Sequence, residues 1–267
     1  MKIQRLFTRV QFDERLFSGF DDFYRAQRDK IQINNINDAI NGKCDKDIEK
    51  RARNLYKDWA YAKNNYTEDA FVQTSLDAVH NKETFALGIY VKSDKKQNSA
   101  EECQTNYIED KFKGLVDVFG LPKSGANSLF ISSSGSIGKT KGTTKSLDIK
   151  LSYSYSGKTL EIYGTLKHID NYGGAQDNQF NDLIATNKDF IKNTDPNIYT
   201  LTIYSGTYFK PKKVNALKVY ENNQNKVSQI DDLENVLKDI IISWLQINFP
   251  DTSLDEQNRV KSYVKKS

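Results

Sequence analysis

The feature that most limits the fold of this chain is a pair of strands joined by a tight turn, with a helix and a further strand behind it. Ser156-Gly157-Lys158 predicts a hairpin turn between strands over 147–155 and 159–169. After a glycine pair, apolar residues at helical spacing predict a helix over 176–192, and a β-prone run predicts a strand within 197–209. This order predicts a mixed α/β fold, with a central mixed sheet flanked by helices.

The remainder of the chain is predicted to be mostly helical. Residues 1–83 form a helical N-terminal part that contributes to the core, with Thr67 as the N-cap of one helix. Residues 84–267 form the α/β core, which opens on a β-rich run over 84–93 and closes with an amphipathic helix within 229–249. We expect the two parts to form a single domain.

Composition excludes several classes of protein. The mean hydropathy of the 267 residues is −0.69, and no run approaches the roughly 18 apolar residues of a membrane span. Charged residues interrupt the N-terminal segment, so we expect no signal peptide and a cytoplasmic location. The two cysteines and two histidines lack metal-ligand spacing, which argues against a zinc site or a disulfide framework.

Positive charge is concentrated in two stretches. The net charge of the whole chain is only +4, but residues 139–167 alone carry six lysines and two acidic residues. A second basic stretch, 209–218, holds four lysines and no acid. Basic stretches of this kind suit phosphate contacts, although a solvated surface explains them equally well. The candidate DNA-contacting lysines are Lys139, Lys141, Lys145, Lys210, Lys212 and Lys213.

An acidic and a basic residue are predicted to meet at one end of the hairpin. Asp148 lies near the start of the first strand and Lys167 near the end of the second, so antiparallel pairing brings them to the same end. A carboxylate binds Mg²⁺ through oxygen, and the ion polarises a phosphodiester and lowers the pKa of its water. The Lys167 ammonium would stabilise the negative charge that grows on the phosphate.

The helix after Lys167 begins with amide side chains. Gln176, Asn178 and Gln179 can pair with base edges in the major groove or with phosphate, and a helix N-terminus itself favours phosphate. Ordinary capping explains the same residue types. We expect these three residues to contact DNA, because Lys167 is so close in sequence.

These motifs resemble those of a known superfamily. Asp148, Thr165-Leu166-Lys167, the GGAQDNQ helix start and the following strand resemble the type II restriction endonucleases of the PD-(D/E)xK nuclease superfamily, over residues 145–205. The resemblance implies a restriction-endonuclease-like core and an Mg²⁺-dependent endonuclease that cuts double-stranded DNA at a specific short sequence. It also implies a homodimer and a companion modification activity.

The chain departs from the superfamily pattern at two positions. Leu147 precedes Asp148 where the pattern has a proline. Thr165 stands where the second acidic residue of (D/E)xK belongs. Glu68, on the N-terminal helix that resembles the glutamate-bearing helix of the superfamily, is one candidate replacement. The carbonyl of Leu166 is another candidate ligand, and Thr165 would then ligate weakly or through water.

Other functions compete with this interpretation. A non-specific repair or defence nuclease would use the same core. A module that binds nucleic acid or another polyanion without cutting is favoured by the missing acid at Thr165. A nucleotide cofactor is not expected, because Ser133 stands where a phosphate loop requires its first glycine.

Overall fold

The computed structural model describes residues 10–91, 96–140, 145–170 and 174–263, without the side chains of 96–99. The chain divides into two compact units: a helical unit of residues 1–10 and 25–96, and a sheet unit of residues 11–24 and 97–267. The mixed α/β class predicted from the sequence is confirmed. In the described parts of the chain, no helix has the length and apolar character needed to cross a membrane.

The helical unit consists of short helices around an apolar core. The helices are α1 (Phe20–Ile40, which begins in the sheet unit), α2 (Asp45–Asp58), α3 (Ala60–Asn65), α4 (Glu68–His80) and α5 (Thr84–Tyr90). Thr67 caps α4 as predicted, because its hydroxyl accepts the amide of Ala70 at 3.3 Å. The strand predicted over 84–93 is wrong for residues 84–90, which form α5, in which Ala86 and Tyr90, one turn apart, are both buried; residues 92 and 93 lie outside the described residues.

The sheet unit is built on one mixed five-stranded sheet in the order β1-β4-β5-β6-β7. Its strands are β1 (Asp117–Gly120), β4 (Ile149–Tyr155), β5 (Lys158–His168), β6 (Ile198–Ser205) and β7 (Asn225–Gln229), and β2 (Phe130–Ile131) pairs with β3 (Ile137–Gly138) separately. The helices are α6 (Lys96–Lys111), α7 (Gly174–Phe190), α8 (Pro211–Lys218), α9 (Leu233–Asn248) and α10 (Leu254–Lys261).

Strand β5 is the middle strand of this sheet. It pairs antiparallel with β4, as predicted, and parallel with β6. Gly164 lies where β5 is closest to its neighbours, since an added Cβ would come within 2.9 Å of both the Ile149 side chain and the Leu201 carbonyl oxygen. A side chain at this position would push the strands apart beside Asp148, whose amide donates to the Gly164 carbonyl at 2.9 Å.

Helices cover the sheet through apolar and polar contacts. Along β4, Ile149, Leu151 and Tyr153 alternate with less buried residues, and Trp244 of α9 packs edge-on against Tyr153. On β6, Thr202 contacts α7, where the Asn187 amide donates to its hydroxyl at 2.8 Å. These contacts hold the middle of the sheet rigidly between helices.

Candidate active site

Asp148, directly before β4, makes four hydrogen bonds: its carbonyl accepts from the Leu121 amide, and the other three join it to β5. The Asp148 amide donates to the Gly164 carbonyl. One oxygen of the Asp148 carboxylate accepts from the Thr165 hydroxyl at 2.9 Å and from the Leu166 amide at 2.8 Å. These last three partners lie on β5, so the antiparallel register brings Asp148 to the strand that carries Lys167. The second carboxylate oxygen has no partner among these contacts.

Lys167 is a buried ammonium. It follows Thr165 by two residues on β5, and only about 7% of each residue is exposed. Its Nζ lies 2.8 Å from the Oε1 of Glu101. Its positive charge favours the ionised form of Asp148, an effect that the burial of this carboxyl outweighs, so that the pKa of Asp148 is raised. The structure therefore brings together Asp148, Thr165 and Lys167, as the strand pairing predicts.

Glu101, on α6, is a site residue that the sequence interpretation missed. Its carboxylate contacts Lys167 through one oxygen and Lys123, in the loop after β1, through the other. The sequence contains one sign of this role. Glu101, Gln104 and Ile108 are spaced so that they share one face of α6, and this face is buried. Polar side chains therefore occupy positions of the buried face. A glutamate at a buried position of a helix is a candidate functional residue, because buried charged side chains are rare unless they are paired.

The two carboxylates have opposite pKa shifts. Burial and the negative charge of Glu101 raise the pKa of Asp148, despite the opposing effects of Lys167 and the two hydrogen bonds from β5. Burial acts to raise the pKa of Glu101 as well, but Lys167 and Lys123 outweigh burial and leave it below its ordinary value. Ionisation of Glu101 is thus favoured, whereas burial makes ionisation of Asp148 unfavourable, a cost that a bound cation would offset.

A hydrogen-bonded group supports Lys167 from its backbone side. Gln104 donates to the Lys167 carbonyl at 3.3 Å and to the Ser205 hydroxyl at 3.1 Å. Ser205 in turn lies 2.8 Å from Nδ1 of His168, whose ring packs against Tyr24 at 4.6 Å between centroids. This arrangement fixes the end of β5, where the site residues lie.

The other predicted metal-site residues are placed as follows. Glu68 begins α4 in the helical unit, where its carboxylate accepts from Arg53 at 3.0 Å. Leu166 is fully buried, and its backbone amide donates a hydrogen bond to the Asp148 carboxylate. Among the described residues, no group of three or more histidine, cysteine, aspartate or glutamate side chains could hold a metal ion. The carboxylates of Asp148 and Glu101 are the pair that the site itself provides.

The two predicted DNA-contacting groups meet at the start of α7. Asp177, among the amides Gln176, Asn178 and Gln179, accepts from Tyr208 and from Lys213 of α8, the latter at 3.1 Å. The Lys213 ammonium also lies 4.5 Å from the ring centre of Phe180. Lys210 and Lys212, beside it, are exposed. The amide-rich helix start and the basic helix thus form one continuous surface.

The lysines of the first basic stretch have separate environments. Lys145 forms an ion pair with Asp182 of α7 at 2.5 Å, and Lys139 lies 3.5 Å from Asn127. Lys141 lies outside the described residues. Lys145 therefore neutralises one of the acidic residues of α7.

Comparison of the chain with family models, with curated proteins and with solved structures gives no match in any of the three.

Proposed function

We propose that this chain is an Mg²⁺-dependent endonuclease that cleaves phosphodiester bonds of double-stranded DNA at a specific short sequence, as type II restriction endonucleases of the PD-(D/E)xK superfamily do. The observation that carries the proposal is the convergence of Asp148, Lys167 and Glu101 at one end of β5, two carboxylates beside one buried ammonium. Buried charged groups with opposed pKa shifts are typical of catalytic sites.

The carboxylates fit a divalent cation. Oxygen ligands of Asp148 and Glu101 suit Mg²⁺, and neighbouring like charges in a buried setting favour its binding. Glu101 would then supply the acid that the motif lacks at Thr165, whose hydroxyl holds one oxygen of Asp148 and leaves the other for the metal. When bound, Mg²⁺ polarises the phosphate and lowers the pKa of its water.

Lys167 acts on the phosphate. Its ammonium is held in place by Glu101 and by strand pairing, so it needs no reorganisation when negative charge develops on the scissile phosphate. Its burial strengthens this electrostatic effect, because little water screens it.

The surface of α7 and α8 would hold the DNA. Gln176, Asn178 and Gln179 offer donors and acceptors for base edges, while Lys210 and Lys212 offer phosphate contacts. A palindromic site would be matched by a two-fold homodimer. Under this proposal the enzyme acts in the cytoplasm alongside a DNA methyltransferase that protects the host sequence.

Plasmid digestion tests the proposal. Asp148→Ala and Lys167→Ala should each abolish cleavage in Mg²⁺ while DNA binding remains measurable, and Lys158→Ala, an exposed cation at the other end of β5, should cut normally. Discrete fragments support a site-specific enzyme, whereas a smear indicates a non-specific nuclease. DNA that stays intact in Mg²⁺ as in EDTA, although bound, would establish a non-cutting binding module instead.

A further inference from the structure

A second surface with the chemistry of nucleic-acid binding lies in the helical unit, on residues that the proposed active site does not use. Phe71 of α4 is buried, and the rings of Tyr56, Trp59 and Tyr66 surround it at centroid distances of 5.9–6.1 Å. Tyr61 packs on Trp59 at 5.5 Å with an interplanar angle of 34°. We call Trp59, Tyr61 and Tyr66 the aromatic patch.

The aromatic patch is exposed to an unusual degree. Trp59 is 45% exposed, Tyr61 58% and Tyr66 40%. Trp59 lies on the surface because α2 ends at Asp58 and Trp59 adopts an extended conformation that interrupts the helical spacing. Adjoining aromatic rings left on a surface mark a binding site, since their burial by a partner is strongly favourable.

The charge around the aromatic patch selects the partner. Residues 50–69 contain five basic residues and three acidic residues, Asp58, Glu68 and Asp69. Arg53 is occupied by Glu68 and Asp69, but Lys57 and Lys63 are exposed, and no ion pair within the described part of the chain involves either of them. Lysine is depleted in protein–protein interface cores, and a second copy of this basic surface would be repelled.

We propose that the aromatic patch binds unpaired nucleobases of single-stranded or locally opened DNA by stacking, with Lys57 and Lys63 on the adjacent phosphates. Stacked bases of an intact duplex hide their faces, so only unpaired bases can pack on Trp59 and Tyr61. Aromatic platforms flanked by lysines bind single strands with little sequence preference. This binding is independent of the proposed cleavage and adds a second DNA contact to the chain.

The two tryptophans provide a direct test. Trp244 is fully buried whereas Trp59 is exposed, so a stacked base should quench the Trp59 emission selectively. The full chain is titrated in EDTA with a thymidine 20-mer, with its duplex as a parallel probe. We expect saturable quenching by the single strand, weaker quenching by the duplex, and none by either probe in Trp59→Phe.

Matched variants assign the binding to the patch. Tyr61→Ala should weaken single-strand affinity by roughly 5- to 150-fold, the range for loss of one stacked base. Phe85→Ala is the control, because Phe85 is an aromatic ring that is 79% exposed but has no ring contact with the patch. This variant should leave the single-strand affinity unchanged. Replacing both Lys57 and Lys63 by alanine should reduce the slope of log K against log salt by about 1.4.

Several outcomes would overturn the proposal. Equal affinity of wild type and a folded Tyr61→Ala variant would do so, as would quenching that survives in Trp59→Phe. Self-association that disappears in Tyr61→Ala, measured by sedimentation without DNA, would show that the patch binds protein. The titration requires no cleavage, so it can also be carried out with the Asp148→Ala variant. Single-strand binding by that variant would support the aromatic patch whether or not the nuclease proposal holds.

Discussion

The ammonium of Lys167 and the carboxylate of Glu101 lie 2.8 Å apart, although the two residues are separated by 66 positions in the chain. Both are almost fully buried, so neither charge can turn to solvent for compensation. Helix α6 is thereby tied to the central strand at the point where Asp148 also lies. This contact makes Glu101 the residue on which the proposed chemistry depends most after Asp148 and Lys167.

Glu101→Gln should lower the rate of Mg²⁺-dependent DNA cleavage by about 10²-fold or more, because it removes a metal ligand and the partner of Lys167 together. Glu102→Gln is the matched control, since Glu102 is the next residue on α6 and is exposed. Cleavage rates at saturating Mg²⁺, with circular dichroism to establish folding, measure the effect. Equal rates for the two variants would remove Glu101 from the site.

Thr165→Val should move the acidic limb of the cleavage pH profile to higher pH. The pKa of Asp148 is already raised, and the Thr165 hydroxyl stabilises its ionised form, so removal of the hydroxyl raises the pKa further. A hydrogen bond to a charged group contributes about 1.5–3 kcal/mol, which corresponds to about 1–2 pH units. Thr165→Ser, which keeps the hydroxyl, should retain the wild-type profile; a shift in both variants would contradict this account.

Asp148→Asn should stabilise the metal-free protein at neutral pH. A carboxyl whose pKa is raised on folding contributes stability that is present below its unfolded pKa, about 3.8, and is lost as pH rises through the folded pKa. The variant avoids that loss, and each kcal/mol gained should raise Tm by roughly 2–4 °C. Thermal unfolding in EDTA at pH 7.5 and at pH 3.5 checks this, and the gain should vanish at the lower pH.

Lys212→Ala and Lys213→Ala should differ in their effect on duplex binding. Lys212 is exposed and available to phosphate, so its loss should reduce the salt slope of DNA binding by about 0.9. Lys213 is engaged by Asp177 and by two aromatic rings, and its loss should mainly weaken the packing of α8 on α7. Salt titrations in EDTA with a duplex oligonucleotide distinguish the two. Identical slope changes would contradict the assignment.

Asn187→Leu should destabilise the fold by roughly 1–3 kcal/mol or more. Asn187 donates to Thr202 at 2.8 Å and accepts from Asn225 at 3.2 Å, and all three residues are fully buried. Leucine would remove the donor to Thr202 and the acceptor of one N–H group of Asn225, whose amide keeps its contacts with Tyr220 and Thr200. Asn181→Leu, at an exposed position of the same helix, should change the free energy of unfolding by less than about 0.5 kcal/mol. Urea unfolding of the two variants provides the measurement.

Local signals explain which parts of the fold were predictable. The Ser156-Gly157 turn fixes the register of the hairpin, and that register brings Asp148 to Thr165 and Leu166 on the strand that carries Lys167. Segment 84–93 was predicted as a strand because aromatic and β-branched residues dominate it, yet tertiary burial of Ala86 and Tyr90 favours a helix. In a segment this short, the packing of individual side chains decides the secondary structure, and the β-prone composition does not.

Long-range contacts explain what was missed. Glu101 reaches the site only through the packing of α6, and sequence spacing carries no information about which helix faces Lys167. Glu68, which the resemblance pointed to, begins α4 and pairs locally with Arg53. The exposure of Trp59 depends on a break in helical conformation between α2 and α3 that no proline or glycine marks.

The central position of β5 has a consequence for the durability of the site. Thr165 and Lys167 lie on the middle strand of the sheet and pair with β6, which β7 covers on its other side, although the pairing with β4 ends at Gly164. Fraying of the edge strands β1 and β7 would therefore not reach them first. Their amide protons should exchange with deuterium only through near-global unfolding, among the slowest in the molecule. Heat or denaturant would then eliminate the site's geometry together with the domain rather than before it.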